Sequence, residues 1–481
     1  MRGSRLVSIS LAGALVAAIL AIGPSAATAA PGWVITQLTT DAHDCFAPQV
    51  SGDRVAWYGF DVTHQTVFTF RFGVDASPVP LAPGAHDFVD PQVSGDRVVW
   101  RSFDGFSHEV FTRKIGVDAA PVTLTFDTGD HGQPQVSGDR VVWTGVLGGH
   151  NLIFTRKIGV DALPLLLTYD ARGHNAPQVS GDRVVWLGSD GTHDQIFTQK
   201  IGVDAQPVQL TSDPQDHFDP HVSGDRVVWL GYDGTFDQVL TQKIGVDSSP
   251  IPLTSDNHGH FSPRVSGDRV VWLGFDGTFD QVVTQKIGVD SSPVSLTSDL
   301  HAHDSPQVSG DRIVWRGSDG TNYQVFTQKI GVDASTVPLT SDAHDHTGPQ
   351  VSGDRVVWTG SDGTNYHVFR AKLVTTPTIA LSPNKSSITL TRSRGVASYT
   401  LSATLRDTDG TRIGGAHVFL QTSANGVTKW KNSYALITNG AGVVSKAFSS
   451  RTPMTLYYRW FAPASAGYKA VAFARQKVQV K

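Results

Sequence analysis

The side chains best equipped for chemistry in this sequence are its 18 histidines, and only His417 lies beyond residue 373. Most fall into two columns of a repeated loop. One column holds His43, His86, His258, His301 and His344. The other, two residues later, holds His131, His174, His217, His260, His303 and His346, with Cys45 in the same place in the first repeat. Three loops therefore read His-x-His: His258/His260, His301/His303 and His344/His346. Residues two apart in an extended segment point the same way. Paired imidazoles beside Asp216 or Asp345 make a donor set for a divalent transition metal, and Cys45 adds a soft ligand. The expectation is a His/Asp-rich binding face whose metal ligands are those three pairs, with no other cofactor. Against it stands the reading that tandem duplication copied a loop whose histidines hydrogen-bond their neighbours. A third reading makes the face pH-responsive, because imidazoles titrate near 6.5.

Catalytic motifs are sparse. There is no nucleophile elbow, no His-Glu-x-x-His and no phosphate loop. A general acid and base can be drawn from His and Asp of the same face. An active site breaks repeat symmetry, and the least regular hairpins are "DVTHQT", "DGFSHE" and "LGGHN", so an asymmetric site is expected near His64, His108 and His150. The "DGT" loops, such as Asp276-Gly277-Thr278, lack EF-hand spacing. They also have one residue fewer between Asp and Gly than a sialidase Asp-box. They read as hairpin turns.

The elements that position these residues come from a repeat. "SGDRV" begins at Ser51 and recurs every 43 residues through Ser352, eight times, with no insertion. In the unit Pro263 to Ser305, "PRVS" is extended, "SGDR" is a tight turn, and "RVVWLG" is β-branched and aromatic. "FDGT" is a hairpin, "QVVTQKIG" a second long strand, "VDSSP" a turn and "VSLTS" a last strand. Four antiparallel strands per 40–45 residues mark a propeller blade. One four-stranded sheet cannot hide both faces, but stacked blades hide them against each other. Trp57, Trp100, Trp143, Trp186, Trp229, Trp272, Trp315 and Trp358 recur on the second strand as the packing ring, each removing roughly 150–250 Å² from water. "WVITQLTTD" at Trp33 aligns with a fourth strand, and the eighth unit lacks one. The N-terminal strand is therefore expected to complete the last blade and remove an open edge. Hairpin loops and the histidines should share one face, "SGDR" and "GVD" the other.

"LTSD…PQVSGDRVVW" resembles the TolB-type, WD-like bacterial propellers over residues 33–373, with Ser-Gly-Asp-Arg where that family has a Ser-Pro-Asp-Gly-like turn. The resemblance implies a fold and a binding habit rather than one activity. Residues 378–481, through "YTLSATLRDTDGTRIGGAHVFLQTS", "TNGAGVVSKAF" and "MTLYYRWFAPASAGYKA", resemble a bacterial Ig-like β-sandwich. That implies a spacer or adhesive module.

The expected organisation is all-β. A signal peptide at 1–29 is followed by an eight-bladed β-propeller at 30–373, a linker at 374–377 and the sandwich at 378–481. Arg2 and Arg5, an apolar run to Ile22 and Ala27-Thr28-Ala29 give the secretory pattern. The mature chain should be secreted, with no membrane span. Cys45 is the only cysteine, which excludes an intrachain disulfide. Residues 374–481 hold 14 Lys/Arg against two Asp, while the net charge of the whole is −4, so the propeller is strongly acidic. An acidic propeller argues against nucleic acid. The basic module suits an anionic cell-surface polymer. The resulting expectation is a non-catalytic binding protein whose propeller takes a protein, glycan or metal ligand. Its alternative is a carbohydrate-active enzyme, a lyase or glycosidase, using His and Asp of the same face.

Overall fold

The β-branched strands, Asp-Gly turns and 43-residue period resolve into eight four-stranded antiparallel sheets in a computed structural model. It describes residues 32–481 except 41, 61–63, 82–86, 104, 374–377, 383–386, 392–395, 407–411, 465–468 and 473–474. The expected signal peptide at 1–29, the expected linker at 374–377 and His86 lie outside the described residues.

Blade 6 shows the pattern. His260–Ser266, Arg269–Phe275, Asp280–Lys286 and Val294–Ser295 pair in sequence order. The second strand is buried along most of its length because it is covered on both faces, whereas the fourth strand is only two residues long. The inner strand of each blade packs on the inner strand of the next, from Cys45–Ser51 around to His346–Ser352 and back to Cys45–Ser51, so the ring is closed about a central channel. All eight repeat tryptophans are fully buried. As expected, the N-terminal strand Trp33–Gln37 completes the eighth blade, pairing with Tyr366–Leu373 from Trp33↔Leu373 to Gln37↔Phe369.

The "SGDR" turn joins blades as well as strands. The Gly95 N–H donates to the Ser51 hydroxyl of the preceding blade at 3.0 Å, and the same bond recurs to the seam, where Gly52 N–H meets Ser352 Oγ at 2.9 Å. Arg54, Arg97, Arg140, Arg183, Arg226, Arg269 and Arg312 each reach the turn aspartate of the next blade, Asp96 through Asp354, at 2.7–2.9 Å. Each of these arginines also donates to a threonine of its own third strand, as Arg183 does to Thr198. A charge-assisted bond held this way is stronger than a neutral one.

The C-terminal residues form two further sheets. Thr378–Ser382, Ala397–Arg406 and Val443–Ser450 make the smaller one. The larger contains Ser387–Leu390, Gln476–Val480, Met454–Ala462, His417–Ser423 and Lys431–Ile437. Leu401, Leu405, Val418, Leu420, Trp460 and Val478 form their shared core.

Candidate functional site

The histidines of the second column are parts of the blades. His131, His174, His217, His260, His303 and His346 begin the inner strands and are at most 5 % exposed. Each Nε2 lies 2.8–3.1 Å from the carboxylate four residues earlier: Asp127, Asp170, Asp213, Asp256, Asp299 and Asp342. The same carboxylate accepts the backbone N–H two residues on, as Asp256 does from His258, which shapes the loop as an Asx turn. The other ring nitrogen faces the core. Trp229 Nε1–H donates to His217 Nδ1 at 3.1 Å, and Trp358 Nε1–H to His346 Nδ1 at 3.0 Å. In these two blades Asp, His and Trp form a relay in which Nδ1 accepts from the indole and Nε2 faces the aspartate, whereas in the other four Nδ1 and the tryptophan Nε1 have no hydrogen-bond partner. Burial pushes the His346 imidazole below its ordinary value.

This corrects the converging His-x-His geometry. His258, His301 and His344 precede the strand and sit within the turn, so period-two alternation does not apply to them. His258 packs on Phe275, while His301 and His344 approach Gly320 and Gly363 of the hairpins. Among the described residues no group of three or more His, Cys, Asp or Glu is arranged for a metal ion. Cys45 is 2 % exposed and takes the core position that histidine fills elsewhere, so it is no surface ligand. His43 lies half-buried in the first of these turns. Of the irregular hairpins, His108 Nδ1 lies 2.8 Å from Asp130. His64 and His150 belong to the hairpins of other blades.

Repeat symmetry breaks elsewhere, on the channel wall. Each inner strand carries a bulge before its proline. Proline cannot donate to the ladder, and the preceding residue takes a left-handed conformation: Ala47, Asp90, Gln133, Ala176, Asp219, Ser262 and Ser305 have φ between 49° and 53°, and Gly348 completes the set. The residue after the proline is Gln49, Gln92, Gln135, Gln178, His221, Arg264, Gln307 and Gln350 in turn. The first four glutamines line a polar cavity of about 610 Å³, together with Arg101, Asp130, Asn151 and Asn175. His221 and Arg264 occupy the equivalent positions in blades 5 and 6.

There they meet Asp219. Arg264 Nη1 donates to Asp219 Oδ2 at 3.2 Å, and His221 Nε2 lies 3.4 Å from Asp219 Oδ1. The three side chains are 19–37 % exposed. Burial pushes the Asp219 carboxyl up, but His221 and Arg264 together override it and hold it at about 2. Burial, aided by the Arg264 charge, holds His221 below the ordinary imidazole value. The cluster is thus an ionised carboxylate, a guanidinium and a neutral imidazole whose Nδ1 lone pair is the basic atom. Aligning the repeats exposes it, since it replaces glutamine in two of eight units.

No protein-family model and no curated protein matches this chain. Solved structures do. Prolyl endopeptidase is similar over 78 % of this chain at 14 % identity, with a TM-score of 0.49. Oligopeptidase B from Leishmania major is similar over 77 % at 10 % identity, TM-score 0.48. The chain spans about half of each, 54 %. The β-propeller domain of the Trilobed protease from Pyrococcus furiosus is similar over 62 % of this chain and 96 % of its own, at 11 % identity and a TM-score of 0.45. At these identities the likeness is one of fold. The solved structures that carry the likeness are peptidases, and against that finding the expectation of a non-catalytic binding protein, with catalysis the lesser alternative, is corrected and not retained.

Proposed function

We propose that the propeller is a catalytic module whose acid–base site is Asp219–His221–Arg264, acting on extended peptide within the channel. The observation that carries the reading is the break in the channel ring: glutamine in six units, and an oriented imidazole beside an ionised carboxylate and a guanidinium in the other two. His221 Nδ1 takes a proton from water as its oxygen attacks the amide carbonyl, and returns it to the departing amine. Asp219 orients the ring, as a carboxylate does for a general base. Arg264 fixes Asp219 and offers its remaining N–H groups to the developing oxyanion. The neighbouring glutamine and asparagine carboxamides supply donors and acceptors that complement a peptide backbone.

The test is turnover of a fluorogenic peptide library by the purified chain. Wild type is expected to cleave at least one class, and His221→Gln to lose on the order of 10²-fold or more. Activity should fall only on acidification below the ordinary histidine range, as the depressed imidazole protonates. An inert wild type, or a His221→Gln variant with full activity, overturns the reading.

The TolB-type assignment belongs to this proposal and is supported by the repeat "PQVSGDRVVW". The Ig-like assignment is supported by two sheets sharing one core. Export is proposed on the pattern of residues 1–29. Attachment of residues 378–481 to an anionic surface polymer is proposed on their excess of Lys and Arg.

A further inference from the structure

A second break in the repeat lies in blades 2 and 3, on the hairpin-bearing face, away from the Asp219–His221–Arg264 cluster. Four positions that are polar in blades 4 to 8 are large and apolar here. Phe106 stands where blade 4 has Thr192, Leu147 where it has Asp190, and Phe126 and Tyr169 where it has Ser212. Blades 5 to 8 repeat the polar choice, with threonine, aspartate, and serine or threonine in the same places. All four apolar side chains lie open to solvent, 53–95 % exposed. A lone exposed apolar residue is ordinary, but several on adjoining segments mark a binding surface.

The segments do adjoin. Phe106 is on the hairpin that leads into His108–Lys114, and Leu147 ends Arg140–Leu147 at the next hairpin. Phe126 and Tyr169 sit in the loops after the short outer strands Val122–Thr123 and Leu165–Leu166. Three of these segments meet at Asp130, where the Phe126 loop ends. Its carboxylate accepts the His108 N–H at 2.9 Å, and its carbonyl accepts the Val146 N–H at 2.9 Å. The Tyr169 loop runs on to Asn175, whose side-chain oxygen accepts from Asn151 at 2.8 Å. Asp130, Asn151 and Asn175 are also walls of the polar channel cavity of about 610 Å³. The apolar rim and the carboxamide-lined cavity therefore border one another.

That pairing selects the occupant. Carboxamides match the N–H and C=O groups of an extended backbone. The rim removes from water the apolar side chains such a backbone carries, and exposed aromatics are the usual anchors for this. A glycan offers hydroxyls instead of bulky aliphatic groups, and Leu147 has no ring face to stack on it.

We propose that Phe106, Phe126, Leu147 and Tyr169 form a specificity rim that selects peptides with bulky apolar side chains as they enter the channel. The proposal rests on the reading of the channel as a peptide site.

The test is fluorescence anisotropy on the full-length His221→Gln chain, so that binding is read without turnover. The probes are two labelled peptides of equal length. One carries phenylalanine or leucine at every third position of a Gly-Ser chain, and the other is Gly-Ser throughout. The apolar peptide should bind roughly tenfold or more tightly than its polar counterpart. The triple variant Phe126→Ser, Leu147→Asp and Tyr169→Ser should lose that preference. It installs residues that other blades already carry, so the fold tolerates it. Equal binding of the two peptides, or a preference kept in the triple variant, overturns the proposal. So does a wild-type dimer on sedimentation that the triple variant turns into a monomer, which would mark the rim as an interface between copies. Failure of catalysis is a separate result: wild type that cleaves no peptide while the binding preference holds removes the acid–base reading and leaves the rim.

Discussion

At the scale of single residues, the repeat conserves glycine where a ring needs its space. A Cβ on Gly188 would sit 2.5 Å from His174 Nδ1 and 3.0 Å from Phe197. Overpacking of this kind costs about 1–3 kcal/mol. Gly188→Ala should therefore lower the thermal unfolding midpoint, and adding His174→Ala should recover part of that loss, since the two residues share one space. A strictly additive double mutant would show that the ring is not the obstacle. The histidine columns were visible in the sequence, but their direction was not. The His-x-His reading assumed that strand alternation extends into the loop, whereas the aspartate four residues before each second-column histidine bends it into an Asx turn. That Asp-x-x-x-His spacing was present throughout and is the signal that separates a structural imidazole from a metal ligand. His221 and Arg264 were legible by comparing units. Their signal is a single substitution for glutamine after the proline, quieter than the irregular hairpins of the first three units.

At the scale of elements, the turn between the first two strands is also a clasp between blades. In Asp182, Asp225, Asp268 and Asp311 the hydrogen bond from the preceding blade's arginine, opposed by partial burial, holds the carboxyl below its ordinary value. A carboxyl depressed by folding contributes stability that is full above its unfolded value near 4 and fades as pH drops through the folded values. Thermal unfolding midpoints should thus hold from pH 6 to 5 and fall steeply between pH 4 and 2. In Asp225→Ala, which leaves the Arg183 guanidinium without this partner, stability should fall by about 1–3 kcal/mol at pH 7 and the acid-dependent loss should be smaller. A variant with the wild-type pH profile would remove the clasp from this account. "SGDR" is readable as a turn because glycine and aspartate favour one. Its second role depends on the neighbouring blade's position, which no local pattern encodes. The bulge before each proline, by contrast, follows from the missing N–H and was open to inference.

At the scale of the whole molecule, period, tryptophan ring and closure were all legible, because an exact 43-residue repeat leaves few packings for a sheet with two apolar faces. Trp33 inserts among Val314, Leu339, Val356 and Trp358, with the Arg312 guanidinium 4.8 Å from its ring. Deleting residues 33–41 uncovers that cluster together with the edge of Tyr366–Leu373. Size-exclusion chromatography should then show oligomers or aggregate, and a folded monomer would mean the ring stands without its borrowed strand. The pairing of Trp33 with Leu373 also carries a mechanical corollary. Chain entry and exit leave the ring side by side, at the same end of one antiparallel ladder. Tension applied between them would rupture those hydrogen bonds one after another, like a zipper, instead of loading them together in shear. The disc should open first at that rung under a pulling force, with the remaining blades still folded.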